Sequence, residues 1–170
     1  MGDTYRAVYT VKIAEKVYVL HCFQKNHTLC DIMSRDLERV GLRVFKNAWF
    51  GRFARKDKIS ADLLWEAVER AERGLIDADL GGGVIKQRIA RPGAGKSKGY
   101  RSIVIYRKGE KAFFVYGFPK SELGNIRDDE EEQFKKAAKS ILALSDDQIR
   151  QLIENGQFEE VMNHGQEISK

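Results

Sequence analysis

Residues 84–120 read VIKQRIARPGAGKSKGYRSIVIYRKGEKAFFVYGFPK, and the fold turns on how this stretch divides. β-branched and aromatic residues fill 84–91, 100–108 and 111–118, so three consecutive strands are expected. Pro92–Gly99 reads as a basic loop after the first strand, and Lys108-Gly109-Glu110 as a tight turn before the third. On an alternating strand Lys86 and Arg88 share one face, while Ile85 and Ile89 take the other. Between Leu80 and Gly109 there is no acidic residue, yet Lys86, Arg88, Arg91, Lys96, Lys98, Arg101, Arg107 and Lys108 all fall there. A strand-rich segment with so little internal neutralisation has the charge pattern of a phosphate-binding surface.

The chain around it bounds the possibilities. With 170 residues, 42% hydrophobic and 32% charged, it has the proportions of one globular domain plus a surplus. A net charge of +5 is only mildly basic, because acidic residues collect elsewhere, notably at Asp128–Glu132. No run of about 18 apolar residues is present, and MGDTYRAVYT lacks the apolar core of a signal peptide, so a cytoplasmic protein without membrane association is expected. Cys22 and Cys30 fit neither a disulfide framework nor a CxxC motif and read as reduced thiols.

Upstream, YRAVYTVKIAEKVYVLHCFQK at 5–25 aligns without a gap on YRSIVIYRKGEKAFFVYGFPK at 100–120. Tyr5/Tyr100, Arg6/Arg101, Glu15/Glu110, Lys16/Lys111, Phe23/Phe118 and Lys25/Lys120 are identical, and Val8/Ile103 and Tyr18/Phe113 are similar. Identity at both ends and at the turn, in one register, favours a duplicated hairpin over convergent composition. The first copy has no counterpart of 84–99, and a two-stranded hairpin alone is marginal in water. It must join the main sheet, pack on a neighbour or stay loosely held.

DIMSRDLERV at 31–40 can form a short helix ended by Gly41. A strand is expected at 42–45, a helix at 48–54, and a second helix at 61–73 with Ser60 as N-cap and Leu63, Leu64, Ala67, Val68 and Ala71 as its apolar stripe. Gly81–Gly83 breaks the chain before the basic strands. After them, a helix with an acidic first turn starts at Asp128, and Ser145 with Gln148 forms a capping box for a last helix stopping at Asn155-Gly156. The chain then divides into a hairpin fragment at 1–25, a helical connector at 26–41, a main domain at 42–162 and a tail at 163–170.

Ala90–Ser97, ARPGAGKS, meets the loose P-loop pattern, but the strand-like GYRSIVIY follows where a helix N-terminus is required. A flexible basic loop is the better reading. His21, Cys22, His27 and Cys30 match no strong zinc spacing, and neither a metal site nor a cofactor is expected. What remains is Lys, Arg and Tyr, which suits cleavage of RNA by its own 2′-hydroxyl, without a metal. Arginines can hold the scissile phosphate, a lysine with a depressed pKa can take the 2′ proton, and a Tyr ring can stack on a base. The plain alternative has equal standing at this point: a basic strand face can be a solvated or binding surface, and Phe113, Phe114 and Phe118 can be core.

Residues 42–161 resemble a RelE-type toxin of bacterial type II toxin–antitoxin systems, in the RelE/HigB-like branch. FKNAWFGRFARK, EAVERAERGLIDADLGGGVIKQRIARPGAGKSKGYRSIVIYR and KAFFVYGFPKSE carry the resemblance. GDTYRAVYTVKIAEKVYVLHCFQK at 2–25 resembles the C-terminal part of a phage-derived HigB-like toxin of the same superfamily. The resemblance implies an α+β fold, with helices on one face of a small antiparallel sheet and a basic concavity on the other. It further implies a ribosome-dependent mRNA endoribonuclease that inhibits translation and is neutralised by a cognate antitoxin, expected to be a small helix-turn-helix protein. By position, the family's catalytic residues fall on Lys86 (base), Arg88 and Arg101 (phosphate) and Lys120 (leaving group), with Arg91, Lys96, Lys98, Tyr100 and Tyr116 around them as RNA contacts. The late tyrosine of the best-known members has no match at Gly124–Arg127, which leaves Tyr116 as a stacking substitute. Two other outcomes fit the same fold: a ParE-like inhibitor of a topoisomerase that cleaves nothing, and an inactive relic that still binds antitoxin.

Overall fold

The computed structural model describes the backbone of 6–13 and 16–23 and residues 41–91, 99–119 and 126–163. In chain order the elements are β1 (Arg6–Ile13), β2 (Lys16–Phe23), β3 (Arg43–Asn47), α1 (Ala48–Lys56), α2 (Ala61–Glu72), β4 (Ala78–Gly81), β5 (Val84–Ile89), β6 (Tyr100–Arg107), β7 (Lys111–Pro119), α3 (Asp128–Leu142), α4 (Asp146–Glu154) and β8 (Phe158–Glu160). The helix expected at 31–40 lies outside the described residues.

Six strands form one sheet in the order β4-β5-β6-β7-β3-β8, antiparallel except where β3 runs parallel to β7. The basic stretch is therefore the middle of the sheet. Its three strands pair as consecutive neighbours through the turn at Gly109, whose φ of 73° suits glycine. Arg43 stands opposite Lys111, and Phe45 lies between Phe113 on β7 and Glu160 on β8.

The helices start where polar caps satisfy their first N–H groups. Asn47 accepts from the Phe50 N–H at 2.7 Å, and the capping box forms at Ser145 and Gln148. Asn47 also donates through Nδ2 to the Val115 carbonyl at 2.9 Å, tying the start of α1 to β7. α1 can lie this close because residue 117 is glycine: a Cβ there would come within 2.5 Å of Phe53 and 2.9 Å of Phe50.

The α+β class and the largely antiparallel sheet stand, but the placing of all helices on one face does not. α1 and α2 cover one face, burying Phe50, Leu64, Val68 and Ala71 against Val44, Ile85, Val104 and Phe114. α3 and α4 cover the other, burying Phe134, Ala138, Ile141 and Ile149 against Phe45, Ile103, Ile105 and Phe113. The central strands have two apolar sets in alternation, and each set requires its own cover. Gly81–Gly83, read as a break, ends the short strand β4 and turns into β5, with all three glycines at positive φ.

The first hairpin forms a two-stranded sheet of its own rather than extending the main one, with β1 running beside α3 and β2 beside α4. Its pairing repeats that of β6 and β7. Arg6 opposes Phe23 and Val8 opposes His21, as Arg101 opposes Phe118 and Ile103 opposes Tyr116. The two registers part at the bulge after Ile103 in the second copy.

Candidate nucleic-acid interface

Alternation along β5 sends Ile85, Gln87 and Ile89 toward α2 and leaves Val84, Lys86 and Arg88 on the α3 side. On β6 the same rule buries Tyr100 on the α1 side and puts Arg101 and Ile103 on the α3 side. Register then brings the cations together: Arg88 stands directly opposite Arg101, and Lys86 opposite Ile103. Opposed residues of an antiparallel pair have Cα atoms about 4.5–5.5 Å apart, where like charges destabilise the pair. Lys86 and Arg101 are partly buried and Arg88 is exposed. Among the described residues Arg101 makes no ion pair. Two arginines opposed in register, with a lysine two residues along the same strand, gather three cationic side chains of the kind that can bind a phosphate.

The cluster is less bare than the sequence implies. Asp77, just outside the acid-free window, folds back along the outer edge of β5. Its Oδ2 accepts the Arg88 backbone N–H at 2.7 Å and its Oδ1 lies 3.2 Å from Arg88 Nε, while Arg70 of α2 approaches at 3.8 Å. The Asp77 side chain is only 12% exposed. Asp77 is itself held by a buried glutamine: its N–H donates to Gln87 Oε1 at 3.2 Å, and Gln87 Nε2 donates to the carbonyls of Ala67 at 2.9 Å and Leu75 at 3.1 Å. Arg88 also lines a small cleft at this edge with Leu63, Glu66, Ala67, Arg70 and Ile89.

The tyrosines do not join the cluster. Tyr100 is 3% exposed on the opposite face, its hydroxyl donating to Asp57 Oδ1 at 3.0 Å and its ring set edge-on to Phe53. Burial and Asp57 both push its pKa up. Tyr116 is on the α3 side but 7% exposed, stacked on Trp49 at 4.7 Å and packed against Phe118 and Phe134. Desolvation, then the charge of Glu130, raises its pKa. Both rings are core, so neither offers a face to a base. The reason is the two-sided packing, which sets Tyr100 against Phe53 of α1 and Tyr116 against Trp49 of α1 and Phe134 of α3. Arg91 is exposed and lies over the Tyr100 ring, 5.9 Å from its centroid, at the end of β5. Lys96, Lys98 and Lys120 lie outside the described residues, as do His27, Cys30 and His164.

Asp77 and Gln87 each carry a signal in the sequence. Gln87 is a polar residue at a position that alternation assigns to the core, which signals a buried hydrogen-bond network. Asp77 is one of the last acids before a long basic run, and such an acid is the natural counter-ion. Among the described residues, no His, Cys, Asp or Glu group is placed to hold a metal, and no helix is long and apolar enough to cross a membrane.

The domain is thus a small α+β sheet whose β5–β6 pair sets two arginines opposite each other. Residues 42–161 match the family described as the RelE toxin of the RelE/RelB toxin–antitoxin system, and the chain belongs to that family. Residues 1–39 match a second family, described as phage derived protein Gp49-like, in keeping with the duplicated hairpin. No curated protein matches the chain.

Proposed function

We propose that this chain is the toxin of a type II toxin–antitoxin system that cleaves messenger RNA on the ribosome. Family membership supports the toxin role. The opposition of Arg88 and Arg101 beside Lys86 is the observation that carries the mechanism. Arg101 and Arg88 hold the scissile phosphate and the charge that builds on it. Lys86 takes the proton of the adjacent 2′-hydroxyl. The 2′-oxygen bonds to phosphorus as the bond to the 5′-oxygen breaks, leaving a 2′,3′-cyclic phosphate and a 5′-hydroxyl. Lys120, assigned by position in the sequence, stabilises the departing oxygen, which takes up a proton from solvent to become the 5′-hydroxyl. Arg91, Lys96 and Lys98 extend the phosphate contacts along the strand ends. In this reading 42–162 is the working domain, 1–25 a toxin-like fragment joined to it by 26–41, and a cognate antitoxin holds it in check in the cytoplasm.

Mapping mRNA ends after induction, with and without ribosomes, tests the reading. New 5′-hydroxyl ends within coding sequence, only where ribosomes are present, are expected. Cleavage of naked RNA at the same sites would remove the ribosome from the mechanism. Growth arrest with altered DNA supercoiling and intact mRNA would replace the nuclease with a topoisomerase inhibitor.

A further inference from the structure

We infer that Asp77 is a positioning residue that presets the Arg88 guanidinium for phosphate, with Gln87 as its support; this rests on the proposed nuclease reading. Arg88 is the cation of the cluster that faces most of the solvent, with half of its side chain exposed. A long side chain in that position samples many rotamers, and ordering it on binding costs affinity or rate. Here the rotamer is chosen in advance. Asp77 holds both ends of the residue, accepting the backbone N–H at 2.7 Å and approaching Nε at 3.2 Å. Guanidinium carries five N–H donors, and a carboxylate on the Nε side leaves the two terminal nitrogens for an oxyanion.

The carboxylate itself cannot drift. Its side chain is 12% exposed, Arg70 stands 3.8 Å away, and the Asp77 N–H is fastened to Gln87, which is 1% exposed and bonded to two further carbonyls. Asp77 has a second effect. It offsets the repulsion between Arg88 and its opposite neighbour Arg101, so the strand pair folds without a bound anion. That carries an electrostatic consequence: Asp77 weakens ground-state attraction for phosphate while aligning the group that grips it. Removing it should tighten or preserve RNA binding and slow cleavage, opposite directions that a loss of folding would not produce.

The test compares wild type, Asp77→Ala, Asp77→Asn and Arg88→Ala by three readouts: affinity for a short single-stranded RNA, cleavage on programmed ribosomes, and hydrogen exchange at the Arg88 Nε–H by nitrogen-labelled NMR. For Asp77→Ala, RNA affinity equal to or tighter than wild type is expected, with single-turnover cleavage at least 10-fold slower and rapid exchange at Arg88 Nε–H. Asp77→Asn, which keeps an acceptor oxygen, should recover most of the rate. Arg88→Ala should lose affinity and rate together. Unchanged cleavage in Asp77→Ala would overturn the assignment, as would a parallel fall in affinity, rate and melting temperature in both Asp77 variants. If wild type cleaves nothing, the nuclease reading fails separately. The exchange measurement still decides positioning: protection at Arg88 lost in Asp77→Ala supports it, and equal exchange in both overturns it.

Discussion

The two hairpins of this chain share sequence and pairing, but only one is built into a larger sheet. Arg6 and Arg101 occupy the same place in their hairpins, opposite Phe23 and Phe118. Arg101 has β5 along its other side, which sets Arg88 opposite it and Lys86 two residues away, whereas β1 pairs with β2 alone. The charge cluster therefore belongs to the junction of β5 and β6, not to the hairpin motif. A repeated motif can retain its register while losing the neighbour that gave it chemistry.

Substituting the paired arginines tests this difference most strongly. Arg101→Ala is expected to lower cleavage by about 100-fold or more and abolish growth arrest, as for loss of an oxyanion-binding donor, while Arg6→Ala leaves arrest unchanged. Wild-type-like arrest from stably expressed Arg101→Ala protein would sink the assignment. Next comes a position where the copies differ in residue type. Gly117 corresponds to Cys22, and Gly117→Cys forces a Cβ into Phe53 and Phe50. Denaturant melts should show a loss of about 1–3 kcal/mol. The reciprocal Cys22→Gly change should cost only about 0.5–1 kcal/mol, the ordinary penalty of glycine in a strand. Asn47→Ala removes the α1 cap and its bond to Val115, which anchors the second hairpin. A loss of about 1–2 kcal/mol is expected, read by the same melts.

The smallest effect vanishes near neutral pH. Tyr100, Tyr106 and Tyr116, on β6 and β7, have hydroxyl pKa values raised above the ordinary 10.0, burial being the first cause in each. Their folded forms hold the proton more tightly than the unfolded chain. Stability is thus fully present below about pH 10 and is lost as pH rises through and beyond that value. Unfolding midpoints should be flat from pH 7 to 9 and fall above 10. Three tyrosines ionising freely near 10 in folded protein would show that their burial is wrong.

The sheet's centre could be read from sequence because long strands carry their own evidence. β5, β6 and β7 alternate over six to nine residues and are joined by strong turn signals, and α2 and α4 are announced by Ser60 and by the Ser145–Gln148 box. β4 and β8 were not anticipated, since four and three residues cannot display a period. The parallel pairing of β3 with β7, and the division of helices between two faces, depend on contacts remote in sequence that no local pattern records. At the site, the shared face of Lys86 and Arg88 followed from alternation. The opposition of Arg88 to Arg101 needed a register, and the grip of Asp77 on Arg88 needed the path of 75–77 along the β5 edge. The burial of Tyr100 and Tyr116 is not legible in the sequence, because an aromatic strand residue looks alike whether it meets a helix or solvent.

The position of β3 bears on the order of events during synthesis. β3 is the first strand of the main sheet to be made, yet it lies between β7 and β8, the two strands of that sheet made last. A nascent chain can pair β5, β6 and β7 as they emerge, but β3 waits for partners far along the sequence. The main sheet can therefore be completed only after all of 43–160 has been made.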